Sequence, residues 1–162
     1  MKIRKAALND CEDIASLAVR SWGFAYETLI PKHVQQTFLE KAYSFEMLEQ
    51  KLTTSALFLT AHSEKQQLLG FAQLIRTDKE TELAAIYVDP DALGKGVGTS
   101  LFQEIVANLH PEERLVVYVE EGNCRAEQFY ITHGFQHVET FSETMFDHTF
   151  HTVKMSRDES RY

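Results

Sequence analysis

Hydrophobic and polar residues along this chain recur with two periods, which predict where strands and helices lie. Alternation at every second position is typical of a strand with one buried face. It is clearest over residues 82–88, where Leu83, Ala85 and Tyr87 are expected to share one face before Asp89-Pro90 ends the run. The hydrophobic pattern predicts strands at residues 2–6, 56–61, 68–75, 82–88, 115–119, 135–141 and 145–155. Among these, residues 115–119 form a fully apolar run, as expected for an interior strand.

Apolar residues at spacings of three and four predict helices between these strands. The first helix is expected to start at a cap, Asn9 or Asp10, with acidic residues in its first turn. Its buried stripe is predicted to consist of Ile14, Leu17, Ala18, Ser21 and Trp22. Pro31 suits the start of a second helix, and Ser44 suits the cap of a third. The third helix is expected to turn Phe45, Leu48 and Leu52 inward.

Two further helices follow the central strand. One begins in the glycine-rich segment near Val97 and carries an apolar face that includes Leu101 and Ile105. The other is capped by Asn123 and ended by Gly134. The resulting order is one strand, a helical segment, three strands, a helix, a strand, a helix and two strands. We therefore predict an α+β fold with a mixed, mostly antiparallel central sheet flanked by helices, in one domain over residues 2–155 with a tail at 156–162.

Composition narrows the class of protein. The chain has 162 residues, 44% hydrophobic and 25% charged, with a net charge of −8. An acidic balance disfavours nucleic acid as a partner, and no apolar run is long enough to span a membrane. The first residues lack a signal-peptide pattern, and only Cys11 and Cys124 are present. We therefore expect a cytoplasmic globular protein without a disulfide framework.

The glycine-rich segment between the central strand and its helix predicts an anion site. Gly94, Gly96 and Gly98 stand just before or within the first helical turn, where backbone N–H groups are free and a phosphate can approach them closely. A P-loop would need Ser or Thr after Lys95, but Gly96 stands there. The dinucleotide fingerprint G-x-G-x-x-G also fails, because Thr99 occupies its last position.

What remains resembles the pyrophosphate loop of the GNAT superfamily of acyl-CoA-dependent N-acetyltransferases, Q/R-x-x-G-x-G/A. Here it reads Leu93-Gly94-Lys95-Gly96-Val97-Gly98, with both motif glycines present and Leu93 in place of Gln or Arg. A second segment, residues 123–135, resembles the later motif of the family, N-x-x-A-x-x-F-Y-x-x-x-G-F, at every named position. The resemblance covers almost the whole chain.

The resemblance implies acetyl-CoA as co-substrate and no metal. It places Tyr130 beside the thioester sulfur as the acid for the leaving thiolate, and Glu82 as a match for the base that some members use. Other members deprotonate the amine through water, so that alternative stays open. The residues implied to contact acetyl-CoA are Ile86, Tyr87, Val88, Leu93, Gly94, Lys95, Gly96, Val97, Gly98, Thr99, Asn123, Ala126, Phe129 and Tyr130.

The acceptor site is less well defined by the sequence. Trp22 and Tyr26 lie in the segment that walls the acceptor site in related enzymes, and their spacing loosely resembles polyamine and small-amine acetyltransferases. A small amine or a protein lysine fits as acceptor, and a homodimer is compatible with the sequence. Neither cysteine has an evident base partner, which favours direct transfer in a ternary complex over a covalent intermediate. The alternative is a non-catalytic acyl-CoA sensor of the same fold.

Overall fold

A computed structural model describes residues 1–158, and it contains a seven-stranded sheet in the order β1-β2-β3-β4-β5-β7-β6. The strands are β1 (Lys2–Lys5), β2 (Leu57–His62), β3 (Leu68–Arg76), β4 (Thr81–Val88), β5 (Arg114–Glu120), β6 (Gln136–Met145) and β7 (His148–Asp158). The helices are α1 (Cys11–Ala25), α2 (Lys32–Ala42), α3 (Phe45–Thr54), α4 (Val97–Ala107) and α5 (Cys124–Thr132). The α+β prediction with a mixed, mostly antiparallel sheet is confirmed.

The sheet separates two hydrophobic cores. On one face, α4 and α5 pack against residues such as Leu74, Leu115 and Val117. On the other face, α1, α2 and α3 bury Ile14, Phe71 and their neighbours. Both α4 and α5 therefore lie on the opposite face of the sheet from α1, the helix that carries Trp22 of the predicted acceptor site.

The only parallel neighbours among the described strands, β4 and β5, separate soon after they begin. Their pairing joins Thr81 with Leu115 and Glu82 with Val116, and it extends no further among the described residues. Beyond these pairs the backbone groups that face the gap are free to bind another chain or a ligand. This gap is the structural basis of the cleft described below.

A clamp holds the closed end of the gap together. The Glu113 carboxylate accepts hydrogen bonds from Arg76 Nε at 2.6 Å and from the Thr81 hydroxyl at 2.9 Å. These contacts lower the pKa of Glu113 to about 2, and the hydrogen bond from the Arg76 guanidinium is the largest cause. One carboxylate thus links the end of β3, the start of β4 and the loop before β5.

A β-bulge changes which face of the sheet the side chains of β4 occupy. Gln73 on β3 pairs with Ala85 and Leu74 pairs with Leu83, so Ala84 is the extra residue. As a result Leu83 packs in the core beneath α4, whereas Ala85 and Tyr87 pack on the α1 side. The prediction that these three residues share one face was therefore wrong.

The starts and buried faces of α1 and α3 follow the sequence predictions only in part. Ser44 caps α3 by accepting the Met47 N–H, as expected. Asp10 precedes α1 without a side-chain cap, because its carboxylate accepts from Arg4 and from the Ala7 N–H. Phe45 was predicted to face inward, but it is 58% exposed, and Ser21 in the α1 stripe is only half-buried.

The C-terminal boundary also differs from the sequence prediction. Strand β7 continues through Asp158, and Arg114 at the start of β5 pairs with that residue. Residues 156–158 therefore belong to the sheet rather than to a tail. The rest of the predicted tail, residues 159–162, lies outside the described residues.

Candidate active site

A cleft of about 380 Å³ opens where β4 and β5 separate. Its lining comes from α1, β4, the glycine loop (residues 93–98), β5 and α5. The predicted site residues that line it are Trp22, Tyr26, Ile86, Tyr87, Val88, Leu93, Gly94, Gly96, Val97, Gly98, Thr99, Asn123, Ala126, Phe129 and Tyr130. Two predicted residues, Glu82 and Lys95, do not line it, and Lys95 is exposed.

The glycine loop has the geometry of an anion cradle. Gly94 and Gly96 have φ angles of +76° and +83°, which favour glycine, and no atom lies within 4 Å of a Cβ built at either position. Gly96 precedes α4 without a side-chain cap, so the N–H groups of the first helical turn are free. The helix dipole adds a partial positive charge at the same place. These features fit the pyrophosphate of acetyl-CoA.

An ion pair that the sequence reasoning missed fixes the entry to this loop. The Asp89 carboxylate accepts from Arg20 Nη2 on α1 at 2.6 Å and from the Asp91 N–H at 2.9 Å. Burial alone would raise the pKa of Asp89, but these hydrogen bonds outweigh it and lower the pKa. The Asp-Pro pair after a strand predicted the turn, whereas its partner on α1, 69 residues away, carried no sequence signal.

Tyr130 lies in α5 and is 8% exposed. Its ring packs edge-on against Phe129 at 5.5 Å and Phe135 at 5.3 Å. Burial, and then the neighbouring phenols of Tyr26 and Tyr87, raise its pKa far above the usual value. Tyr130 is therefore a neutral phenol at physiological pH, and it can donate a hydrogen bond or a proton to a group in the cleft.

The opposite side of the cleft is an aromatic wall formed by Trp22, Tyr26 and Tyr87. Trp22 meets Tyr26 edge-on at 4.8 Å, and its Nε1–H donates to the Tyr87 hydroxyl oxygen at 3.1 Å. Behind the wall, Trp22 stacks on Phe38 at 4.6 Å. The wall is thus held by specific contacts that limit the freedom of its side chains.

Asn123 connects the wall to α5. Its side-chain oxygen accepts the Ala126 N–H and caps the helix, as predicted. Burial, first of all, raises the pKa of Tyr26, and the nearby Asn123 side chain lowers it in part. The first residue of the later motif thus positions an aromatic residue on the far side of the cleft.

Carboxylates lie near the cleft on the α1 face of the sheet. Burial, followed by the charge of Glu80, raises the pKa of half-buried Glu82. Glu80 accepts the hydroxyl of Tyr118, a cleft residue, at 2.8 and 3.0 Å, and burial and Glu80 raise the pKa of that phenol to about 12. At the end of β5, burial raises the pKa of Glu120, whose charge in turn acts on Tyr26.

At the mouth of the cleft, the Arg125 guanidinium lies 5.9 Å from the exposed Phe24 ring, so α5 and α1 meet across it.

Burial raises the pKa of Cys11, which suits a core residue, while Cys124 is exposed. Within residues 1–158, no group of three or more His, Cys, Asp or Glu side chains is arranged to hold a metal ion. In the same part of the chain, no helix is long and apolar enough to cross a membrane.

Comparison with known proteins agrees with this geometry. A family model described as Acetyltransferase (GNAT) domain matches residues 13–158. The chain is 27% identical over 143 residues to the spermidine N(1)-acetyltransferase of Thermoplasma acidophilum, covering 84% of this chain and 88% of that protein. It is 30% identical over 128 residues to the uncharacterized N-acetyltransferase YuaI of Bacillus subtilis, covering 75% and 72%.

A solved structure shares the fold along nearly the whole chain. The crystal structure of PaiA N-acetyltransferase from Thermoplasma acidophilum in complex with coenzyme A aligns with a TM-score of 0.81 at 23% identity. The alignment covers 97% of this chain and 98% of that one. The fold and the cleft therefore define an acyl-CoA-dependent acyltransferase. The chain belongs to the GNAT family of acetyltransferases, which makes it an N-acetyltransferase with acetyl-CoA as co-substrate.

Proposed function

We propose that this enzyme transfers the acetyl group of acetyl-CoA to the primary amine of a small polycation such as spermidine, by direct attack in a ternary complex. One observation carries the proposal: a single cleft joins the uncapped glycine loop, the buried phenol of Tyr130 and the aromatic wall. The glycine loop would hold the pyrophosphate. The pantetheine arm would lie in the gap between β4 and β5, where free backbone groups can pair with its amides.

Three groups of the chain would support the chemistry. An amine with a pKa of about 10 must lose a proton to attack, and we assign that proton to Glu82 through a water, because Glu82 does not line the cleft. The Val88 N–H would donate to the carbonyl oxygen as it gains negative charge. Tyr130 would donate to the leaving thiolate, whose free pKa is about 8.5.

A cationic acceptor is supported by charge and by surface chemistry. The chain carries a net charge of −8, and Glu120 lies close enough to Tyr26 to affect its titration. Aromatic faces such as Trp22 attract ammonium groups by about 0.5–2 kcal/mol. The name of one relative, spermidine N(1)-acetyltransferase, gives a polyamine as its acceptor, which supports the same class of acceptor here. A protein lysine is the main competing acceptor.

A cytoplasmic location is part of the same proposal. Both cysteines of the chain are free, which suits a reducing compartment.

The proposal is tested by steady-state acetylation of an amine panel. The panel contains spermidine, spermine, an aminoglycoside, neutral and anionic amino compounds of similar size, and a lysine peptide, with thiol release and product mass as readouts. We expect the polyamines to give the highest kcat/KM. Faster turnover of neutral or anionic amines would contradict the cationic acceptor, and acetyl-CoA binding without any turnover would favour the sensor alternative.

A further inference from the structure

The Tyr87 hydroxyl occupies an unusual position in the cleft. Its ring packs edge-on against Phe71 at 5.2 Å, at the place where β4 ends, and Tyr87 lines the cleft. The Trp22 Nε1–H donates to its oxygen. An indole N–H can only donate, so the direction of this hydrogen bond is fixed.

Tyr43 packs against Tyr87 with the two ring centroids 6.1 Å apart. Burial, first of all, raises the pKa of both phenols, so both keep their protons at physiological pH. Tyr43 is only 7% exposed and lies behind the wall, so it holds Tyr87 from the protein interior.

The contact with Trp22 determines what the hydroxyl can do. A phenol oxygen has two lone pairs and one proton, and the Trp22 N–H uses one lone pair and leaves the proton. Because Tyr87 lines the cleft, this proton is available to a group bound there, in an orientation that Trp22 limits before any substrate binds.

The chemistry of acetyl transfer limits which group in the cleft can accept a hydrogen bond from Tyr87. A donor aimed at the amine nitrogen would occupy the lone pair that must attack the thioester. The thioester carbonyl oxygen, in contrast, needs more hydrogen bonding as the reaction proceeds. The amine nitrogen bonds to the carbonyl carbon and the C=O electron pair moves to oxygen. That pair then returns as the C–S bond breaks, the thiolate leaves, and the amine proton passes to the base.

We propose that the Tyr87 hydroxyl is a catalytic hydrogen-bond donor to the thioester carbonyl oxygen, acting beside the backbone N–H of β4 in the acetyl-transfer reaction. The donor keeps its proton throughout, because its role is to stabilise the oxyanion. The inference rests on acetyl transfer to an amine, as proposed above, but it does not depend on which amine is the acceptor.

The test compares Tyr87→Phe with the wild type on the best amine of the panel and on slow hydrolysis of acetyl-CoA without amine. Both reactions form the same oxyanion, so we expect kcat to fall on the order of 10²-fold in both. The acetyl-CoA Kd and the thermal midpoint should stay close to those of the wild type. Tyr43→Phe is the matched control: it removes a buried hydroxyl beside Tyr87 but leaves the Tyr87 proton, so it should lose much less.

A site-specific Tyr87→3-fluorotyrosine variant separates chemistry from packing, and it also serves if Tyr87→Phe does not fold. Fluorine makes the phenol a stronger donor, so kcat should match or exceed that of the wild type at pH 7. An unchanged kcat in Tyr87→Phe would overturn the proposal. A change confined to the KM of the amine, with normal hydrolysis, would overturn it as well. A different preferred amine would contradict only the polyamine assignment.

Discussion

At the scale of single residues, burial keeps the phenols of the cleft protonated. The pKa of Tyr26, Tyr87 and Tyr130 is raised in each case chiefly by burial. Neutral phenols in a water-poor cleft act as fixed hydrogen-bond donors, which are worth more there than in water. The phenols that line the cleft are thus uncharged donors, while the carboxylates lie at its edge.

For Tyr130, we expect Tyr130→Phe to lower kcat on the order of 10²-fold, the lower end for one general acid. The acetyl-CoA Kd should barely change, because the ring and its packing remain. Both quantities should be measured side by side. An unchanged kcat would reduce Tyr130 to a structural role, and a loss of affinity with normal kcat would make it only a contact to acetyl-CoA.

For Glu82, we expect Glu82→Gln to lower kcat/KM most on the acid limb of its pH profile, where the rate rises with pH. The loss should shrink as the pH approaches ~10, where the free amine predominates without help. Glu80→Gln is the control. Removing that neighbouring charge should lower the pKa of Glu82 and move the acid limb to lower pH while the plateau is kept. An acid limb that neither variant changes would assign the base to water alone.

Residue identities in the two motifs predicted most of the cleft lining, because glycine, Asn caps and a buried Tyr each have local sequence signals. The support of Tyr87 by Trp22 and Tyr43 could not be predicted in this way. Those residues lie 65 and 44 positions away along the chain and meet only through the packing of α1 and the segment after α2 against the sheet. Glu82 matched a family position, yet its side chain stays outside the cleft lining.

At the scale of elements, the gap between β4 and β5 organises the site. Alternation predicted β4 and a fully apolar run predicted β5, but nothing in the sequence indicated the bulge at Ala84, since no glycine or proline marks it. The bulge places Tyr87 on the face of α1 and leaves Leu83 beneath α4. Because a bulge adds one residue to one strand, it exchanges the faces of all residues on one side of it.

The clamp at the closed end of the gap gives a prediction about stability. Because the pKa of Glu113 falls from 4.5 to about 2 on folding, its contribution is fully present above pH 4.5 and is lost as the pH falls toward about 2. Glu113→Gln should cost on the order of 2 kcal/mol at pH 7 and progressively less at pH 4 and 3. Urea unfolding at these pH values measures the difference.

The matched control for the clamp is Glu112→Gln, since Glu112 is the exposed neighbouring acid. It should leave the pH dependence of unfolding as in the wild type. Equal destabilisation by Glu113→Gln at pH 7 and pH 3 would show that the carboxylate charge does not hold the clamp.

At the scale of the whole molecule, the order of elements predicted the fold, because two hydrophobic faces must be covered and the helices are divided between them. The helices α1, α2 and α3 cover one face, and α4 and α5 cover the other. Residues of both layers line the cleft, among them Tyr26 on the α1 side and Tyr130 in α5. In the proposed ternary complex, acetyl-CoA and the acceptor would meet between them.

The central claim is that the glycine loop holds the pyrophosphate of acetyl-CoA, and isothermal titration of acetyl-CoA into Gly96→Asp tests it most directly. Asp and Asn both tolerate the left-handed backbone at this position, so Gly96→Asn is the neutral control of equal shape. Like charges about 4 Å apart near a protein surface repel by about 4 kcal/mol, so Gly96→Asp should bind at least ~100-fold more weakly than Gly96→Asn. Wild-type affinity in a folded Gly96→Asp variant would contradict the account.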